Sequence, residues 1–153
     1  MNSLELKIPP PFVALALALL MWAAAWFTQP IEVPFAWRLG AALALVVVGQ
    51  SISISAMVAF RRAKTTVNPI KASAASCLVS SGVYRFTRNP MYLGLLLTLL
   101  AWAVFLSNVV GLLFVPLYVL YMNRYQIGPE ERVLSSLFGA EYTAYRKKVR
   151  RWL

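Results

Sequence analysis

Three long stretches of this chain contain no charged residue, and they restrict its possible folds more than any other feature. They cover residues 8–31, 39–60 and 89–123. A transmembrane helix needs about 20 mainly apolar residues, so each stretch is long enough to cross a membrane. Hydrophobic residues make up 60% of the 153-residue chain, which is above the share in ordinary soluble domains. We therefore expect an all-α integral membrane protein.

The third stretch is too long for one helix, which makes four transmembrane helices the expected number. As a single helix it would extend over roughly 50 Å, whereas the hydrocarbon core of a bilayer measures about 30 Å. Ser107 and Asn108 mark a break within it, so we predict a helical hairpin. The predicted spans of this single membrane domain are residues 10–28, 37–60, 90–106 and 109–126.

The positions of the basic residues predict how these spans are oriented. Four spans place both termini and a loop at residues 61–89 on one side, and every Lys and Arg except Arg38 lies there. Positive charge marks the cytoplasmic side, so the termini and the loop should be cytoplasmic, in the cytoplasmic membrane if the source is a bacterium. The net charge of +10 borders the spans instead of covering a soluble face. This distribution favours anionic membrane lipids over nucleic acid as partners.

The choice of polar residues excludes several kinds of active site. The chain has no His and no Asp, and its five acidic residues are all Glu. Histidine bases, Ser-His-Asp triads and the common zinc sites are therefore excluded, and we predict no metal. Cys77 is the single cysteine, so an intramolecular disulfide is impossible.

A basic segment at residues 81–94 leads into the third stretch. Asn89 is a good N-cap and Pro90 suits the first helical position, so a helix should begin there. Arg85 and Arg88 lie beside the free N–H groups of this helix start, an arrangement that attracts carboxylates or phosphates. The ordinary positive flanks of a capped transmembrane helix explain the same residues.

A second polar segment follows the fourth span. Pro129, Glu130 and Glu131 suit a helix start, and apolar residues recur after them at steps of three or four. We predict an amphipathic helical segment over residues 129–151 that lies at the membrane interface and is divided at Gly139. Taken alone, the two acids suit compensation of the helix dipole.

Two strings in these segments resemble the signature of the membrane-integral methyltransferases that use S-adenosylmethionine. That superfamily includes isoprenylcysteine carboxyl methyltransferases, which usually have His where this chain has Asn89, and phospholipid N-methyltransferases, which often have Asn. A weaker match lies at residues 65–69. The two strings are Gly82-x-Tyr84-x-x-x-Arg88-Asn89-Pro90-x-Tyr92-x-Gly94 and Glu130-Glu131-x-x-Leu134-x-x-x-Phe138-Gly139-x-x-Tyr142-x-x-Tyr145.

The resemblance implies that S-adenosylmethionine is the cofactor, that the acceptor is lipophilic or lipid-modified, and that the site is cytoplasmic. A carboxylate acceptor needs orientation by arginine, whereas an amine must lose a proton, for which Glu131 is the available base. The implied catalytic residues are Arg88, Glu131 and Arg124, with Tyr125 and Arg132 as further candidates for orienting an acidic substrate. The implied cofactor-binding residues are Tyr84, Arg88, Asn89, Pro90, Tyr92, Gly94, Glu130 and Glu131.

Two other classes of protein fit the size and hydrophobicity of the chain. A small four-helix transporter needs an ionisable residue inside the membrane, and the five glutamates lie outside the predicted spans. A non-catalytic membrane scaffold would keep the two strings without binding a methyl donor. The identity of the acceptor and the oligomeric state stay open at this point.

Overall fold

The computed structural model describes residues 5–64 and 77–153, and every regular element in these two ranges is a helix. The predicted all-α class is thereby confirmed for this part of the chain, while the weaker motif at residues 65–69 lies outside it. A short 3₁₀ helix precedes α3, and a π-helical turn joins α4 to α5. The elements are α1 (Pro10–Trp26), α2 (Phe35–Arg62), the 3₁₀ helix (Gly82–Arg85), α3 (Pro90–Leu106), α4 (Val109–Tyr121), the π turn (Met122–Ile127) and α5 (Gly128–Lys148).

Helix α3 is central and packs against α1, α2 and α4. Its closest neighbour is α2, because Gly94 faces Gly49 across the helix crossing. A Cβ atom on Gly94 would lie 2.5 Å from the carbonyl oxygen of Gly49 and would overlap the side chain of Ser53. Two glycines therefore let the two backbones approach more closely than larger residues allow.

The chain reverses direction between α3 and α4 at Ser107 and Asn108, the break that the sequence predicts. Ser107 adopts a left-handed conformation, with φ of 52°. Its backbone is held by the connection between α1 and α2, since Ile31 N–H donates to the Ser107 carbonyl at 2.6 Å. The Asn108 side chain caps α4 by accepting hydrogen bonds from Val110 N–H and Gly111 N–H, as an N-cap residue should.

The C-terminal third differs from the prediction at both of its ends. No loop separates the fourth predicted span from the next helix, because the π turn carries the chain directly from α4 into α5. Helix α5 is divided at Gly139, where φ is 48°, and this confirms the predicted division. It ends at Lys148, so residues 149–151 are not helical as predicted; the backbone is extended at Val149 and runs back towards the start of α3.

One helix, α2, is long and apolar enough to cross a membrane by itself. Helices α1 and α3 are also apolar but shorter, with 17 residues each. Their packing around α3 positions the polar residues that follow at one end of the helices.

Candidate active site

The two predicted motifs meet in an ion pair between Arg88, just before α3, and Glu131, in the first turn of α5. Arg88 Nη2 lies 2.9 Å from Glu131 Oε1, and the two side chains are only 10% and 8% exposed. Residues 43 positions apart in the chain are thereby fixed to each other. A buried ion pair is costly unless each charge is well compensated, so its remaining contacts matter.

A second arginine, Arg151, completes the coordination of Glu131. Arg151 Nη2 lies 2.6 Å from Glu131 Oε2, and Arg151 Nε donates to Oε1 at 3.1 Å. The hydrogen bonds with Glu131 raise the pKa of Arg151 above its ordinary value. Arg151 Nη1 also donates to Asn123 Oδ1, on the π turn, at 3.3 Å. Both carboxylate oxygens of Glu131 are thus engaged by guanidinium groups, the strong form of this interaction.

The segment after α5 is fastened to the loop before α3 by backbone contacts. Arg88 N–H donates to the Arg150 carbonyl at 3.0 Å. The side chains of Thr87 and Asn89 both donate to the Arg151 carbonyl, at 3.2 and 2.8 Å. Asn89 therefore makes no side-chain cap on α3, and the predicted capping role is wrong: the helix starts at Pro90, but the amide joins two distant segments.

Glu130 occupies a different environment from its neighbour Glu131. The Tyr92 hydroxyl donates to Glu130 Oε1, and Gln126 Nε2 donates to the same oxygen at 2.5 Å. Burial raises the pKa of Glu130 to about 7, although both hydrogen bonds act in the opposite direction. This carboxyl group consequently changes its protonation state near neutral pH, which suits a proton acceptor or donor.

Tyrosines surround the two acids. The Tyr145 hydroxyl donates to the Tyr84 carbonyl at 2.8 Å, which ties α5 to the 3₁₀ helix. Burial raises the pKa of Tyr142 to about 12, and burial also raises that of Tyr84 above its ordinary value. These phenols therefore stay neutral at physiological pH and contribute aromatic faces and hydroxyl groups, not charge.

Several residues predicted for the site lie elsewhere. Arg124 is exposed on the π turn, and Arg132 pairs with Glu5 at 2.6 Å. The Tyr125 carbonyl accepts a hydrogen bond from Leu6 N–H. Gly94 faces α2, as described above, so the close approach that its missing side chain permits is to a helix.

Four residues of the cluster were not predicted, namely Thr87, Asn123, Gln126 and Arg151. Arg151 was grouped with the basic residues that face lipid headgroups. Gln126 is a lone polar residue at the end of a long apolar stretch, and that position was the one available signal for it. No cluster of three His, Cys, Asp or Glu side chains that could hold a metal occurs within the described ranges.

Residues 37–141 match the phospholipid methyltransferase family. The chain belongs to this family. The predicted membership of a membrane methyltransferase superfamily is therefore confirmed, and the matched region contains both Arg88 and Glu131.

Curated relatives carry related names. A protein-S-isoprenylcysteine O-methyltransferase of Schizosaccharomyces pombe is 33% identical over 71% of this chain and 46% of its own length. Protein-S-isoprenylcysteine O-methyltransferase A of Arabidopsis thaliana is 30% identical over 88% of this chain and 70% of its own length. An uncharacterized protein of Haemophilus influenzae is 52% identical over 41% of this chain and its whole length. No solved structure matches.

The chain thus spans about half to two thirds of the length of these named methyltransferases, as the shares of 46% and 70% illustrate. The family match and the names of the relatives together support a membrane methyltransferase enzyme.

Proposed function

We propose that this protein transfers a methyl group from S-adenosylmethionine to a lipophilic acceptor at the cytoplasmic surface of a membrane. The observation that carries the proposal is the buried Arg88–Glu131 pair. It joins the two strings that resemble the methyltransferase signature, and it lies next to Glu130, whose carboxyl titrates near neutrality.

The polar groups of this cluster suit the chemistry of the cofactor. S-adenosylmethionine carries a carboxylate, an amino group, ribose hydroxyls and a cationic sulfur, and it supplies an electrophilic methyl group when bound. Arg88 Nε is buried and has no hydrogen-bond partner among residues 5–64 and 77–153, so it is a free donor for the cofactor carboxylate. Glu130 and Glu131 are acceptors suited to the amino group and the ribose hydroxyls, and Tyr84, Tyr92 and Tyr142 suit the adenine or the sulfonium.

Two acceptor classes are supported, each by a different comparison. The isoprenylcysteine relatives favour a carboxylate on a lipid-modified protein, whereas the family description favours the amine of a phospholipid. A carboxylate is already deprotonated at neutral pH and requires only orientation. An amine must lose a proton, and we assign that proton to Glu130 in place of Glu131, because Glu131 is engaged by two arginines.

Four membrane spans complete the proposal. Helices α1 and α3 each extend about 26 Å, close to the roughly 30 Å of a hydrocarbon core. The third and fourth spans are α3 and the continuous helical run from Val109 to Ile127. With both termini cytoplasmic, the Arg88–Glu131 pair lies at the cytoplasmic surface, where a lipophilic acceptor can enter from the side and a soluble cofactor from water.

Calorimetric titration of S-adenosylmethionine and S-adenosylhomocysteine into the detergent-purified protein tests the cofactor. We expect micromolar binding that Glu131→Ala abolishes and that Glu141→Ala preserves, since Glu141 is exposed on the same helix. Farnesylcysteine and phosphatidylethanolamine should then be compared as methyl acceptors. Absence of binding in a protein whose fold is verified by circular dichroism would contradict the proposal and favour a transporter or a scaffold.

A further inference from the structure

Helices α1 and α2 both pack on α3 but leave an open groove between them. The groove has a volume of about 450 Å³ and is lined by apolar side chains from all three helices, among them Ala14, Ala42, Leu95 and Phe105. This volume is in the range of sites that hold small molecules, about 300–1,000 Å³. None of its lining residues belongs to the Arg88–Glu131 cluster.

The groove matches one leaflet of a bilayer in length. It follows α3 from Leu95 to Phe105, which is about 15 Å at the helical rise per residue and half of a hydrocarbon core of about 30 Å. The polar side chain that lines it, Thr98, has its hydroxyl group occupied by the Gly94 carbonyl and by Gln50. The lining therefore offers a hydrocarbon chain an apolar path with no unpaired donor.

A single arginine lies at the outer end of this path. Arg38 Nη1 donates to the Phe105 carbonyl at 3.4 Å, and its guanidinium carbon lies 5.8 Å from the centre of the Phe35 ring. Arg38 Nε is buried without a hydrogen-bond partner, and the side chain forms no ion pair with any acid in the described part of the chain. A guanidinium group with a spare donor at a membrane interface is suited to a phosphate.

We propose that the groove binds one acyl chain of a phospholipid from the leaflet opposite the methyl-transfer site, with the lipid phosphate on Arg38. This inference rests on the four-span topology proposed above. A second copy of the chain fits less well, because Glu32 is the only acid it would bring to that side. Every phospholipid, by contrast, carries both a phosphate and a chain of the right length.

Photo-crosslinking in nanodiscs tests the site. The probe is phosphatidylglycerol with a diazirine at the end of one acyl chain, and adducts are mapped by peptide mass spectrometry. We expect labelling near Leu15 and Leu95, at the inner end of the groove, in excess over Leu117, which is exposed on α4. Arg38→Ala should reduce the groove adducts at least about tenfold, the usual weight of a charge-assisted hydrogen bond.

A matched pair of variants separates binding in the groove from contact with bulk lipid. Ala14→Phe fills the groove and should abolish its adducts, whereas Ala16→Phe places the same ring on an exposed face of α1 that does not line it. Equal labelling of Leu117 and the groove, unaffected by either variant, would overturn the proposal. Chain-to-chain crosslinks across the groove in place of lipid adducts would overturn it too, and would assign the surface to a second copy.

Failure of this proposal is distinguishable from failure of the proposed function. Methyl-donor binding is measured on the same samples by calorimetry and does not involve Arg38. The topology is checked by Glu32→Cys in a Cys77→Ala chain, using a membrane-impermeant maleimide on intact cells. Labelling of that cysteine from outside supports the assumed orientation, whereas labelling only after permeabilisation would refute both the orientation and the leaflet assigned to the lipid.

Discussion

The Glu131→Gln substitution gives the sharpest test of how the site is held together. It removes the negative charge that Arg88 and Arg151 share and leaves Arg88, whose side chain is 10% exposed, as a buried cation without a counterion. Removing one partner of a buried pair typically costs about 3–5 kcal/mol. In a chain of this size the melting temperature should then fall by roughly 6–20 °C.

Glu5→Gln is the matched control, because it also leaves an arginine without its acid. The arginine concerned is Arg132, whose side chain is 60% exposed and can be solvated by water. Such a pair is worth about 0–1 kcal/mol, so the melting temperature should change by less than about 4 °C. The five tryptophans report unfolding of the detergent-purified protein by intrinsic fluorescence.

A double variant identifies the cause of the destabilisation. If the cost of Glu131→Gln is an uncompensated charge on Arg88, then adding Arg88→Met should recover part of the lost stability, since an apolar side chain needs no counterion. Similar losses for Glu131→Gln and Glu5→Gln, or a double variant less stable than Glu131→Gln alone, would refute this reasoning.

Three further outcomes are expected. Because burial makes the folded protein hold the Glu130 proton more tightly than the unfolded chain does, stability should fall by roughly 3 kcal/mol as the pH rises from 4.5 to about 7, and Glu130→Gln should flatten this dependence in thermal unfolding; an unchanged slope would contradict the assignment. Gly94→Ala should destabilise the α2–α3 crossing by about 1–3 kcal/mol, whereas Gly40→Ala, with open space around its Cβ, should be neutral or stabilise by up to about 1 kcal/mol. Asn108→Ala should lose about 0.5–2 kcal/mol through the missing cap of α4, and a melting temperature equal to that of the parent protein would show that the cap is dispensable.

Local signals in the sequence predicted the positions at which the backbone changes direction. Pro90 starts α3, Asn108 caps α4 and Gly139 divides α5, because each of these residue types has a conformational preference that its neighbours do not override. The helical hairpin followed from length alone, since one helix would exceed the bilayer. These features depend on a few adjacent residues and can therefore be predicted without a partner.

Contacts between distant segments could not be predicted in the same way. Arg151 binds Glu131 only because the backbone leaves helical geometry after Lys148, and no pattern in the basic tail distinguishes that arginine from Arg150. Gly94 was correctly identified as a point of close approach, but a missing side chain does not reveal what approaches. The exposed Arg124 lies on the π turn, whose change of register alters the direction of every later side chain.

That π turn makes the active-site geometry unusually sensitive to the number of residues in the chain. A π turn closes hydrogen bonds one residue further along than an α-helix does, so deleting one residue between Met122 and Ile127 would let the helix continue in regular α geometry. Everything after the deletion would rotate by about 100° around the helix axis. Glu130 and Glu131 would then turn away from Tyr92 and Arg88, although their own identities were unchanged. Length variation that a surface loop accommodates would here separate the two halves of the site, so the spacing from α4 to Glu131 is as much a part of the catalytic apparatus as the carboxylates themselves.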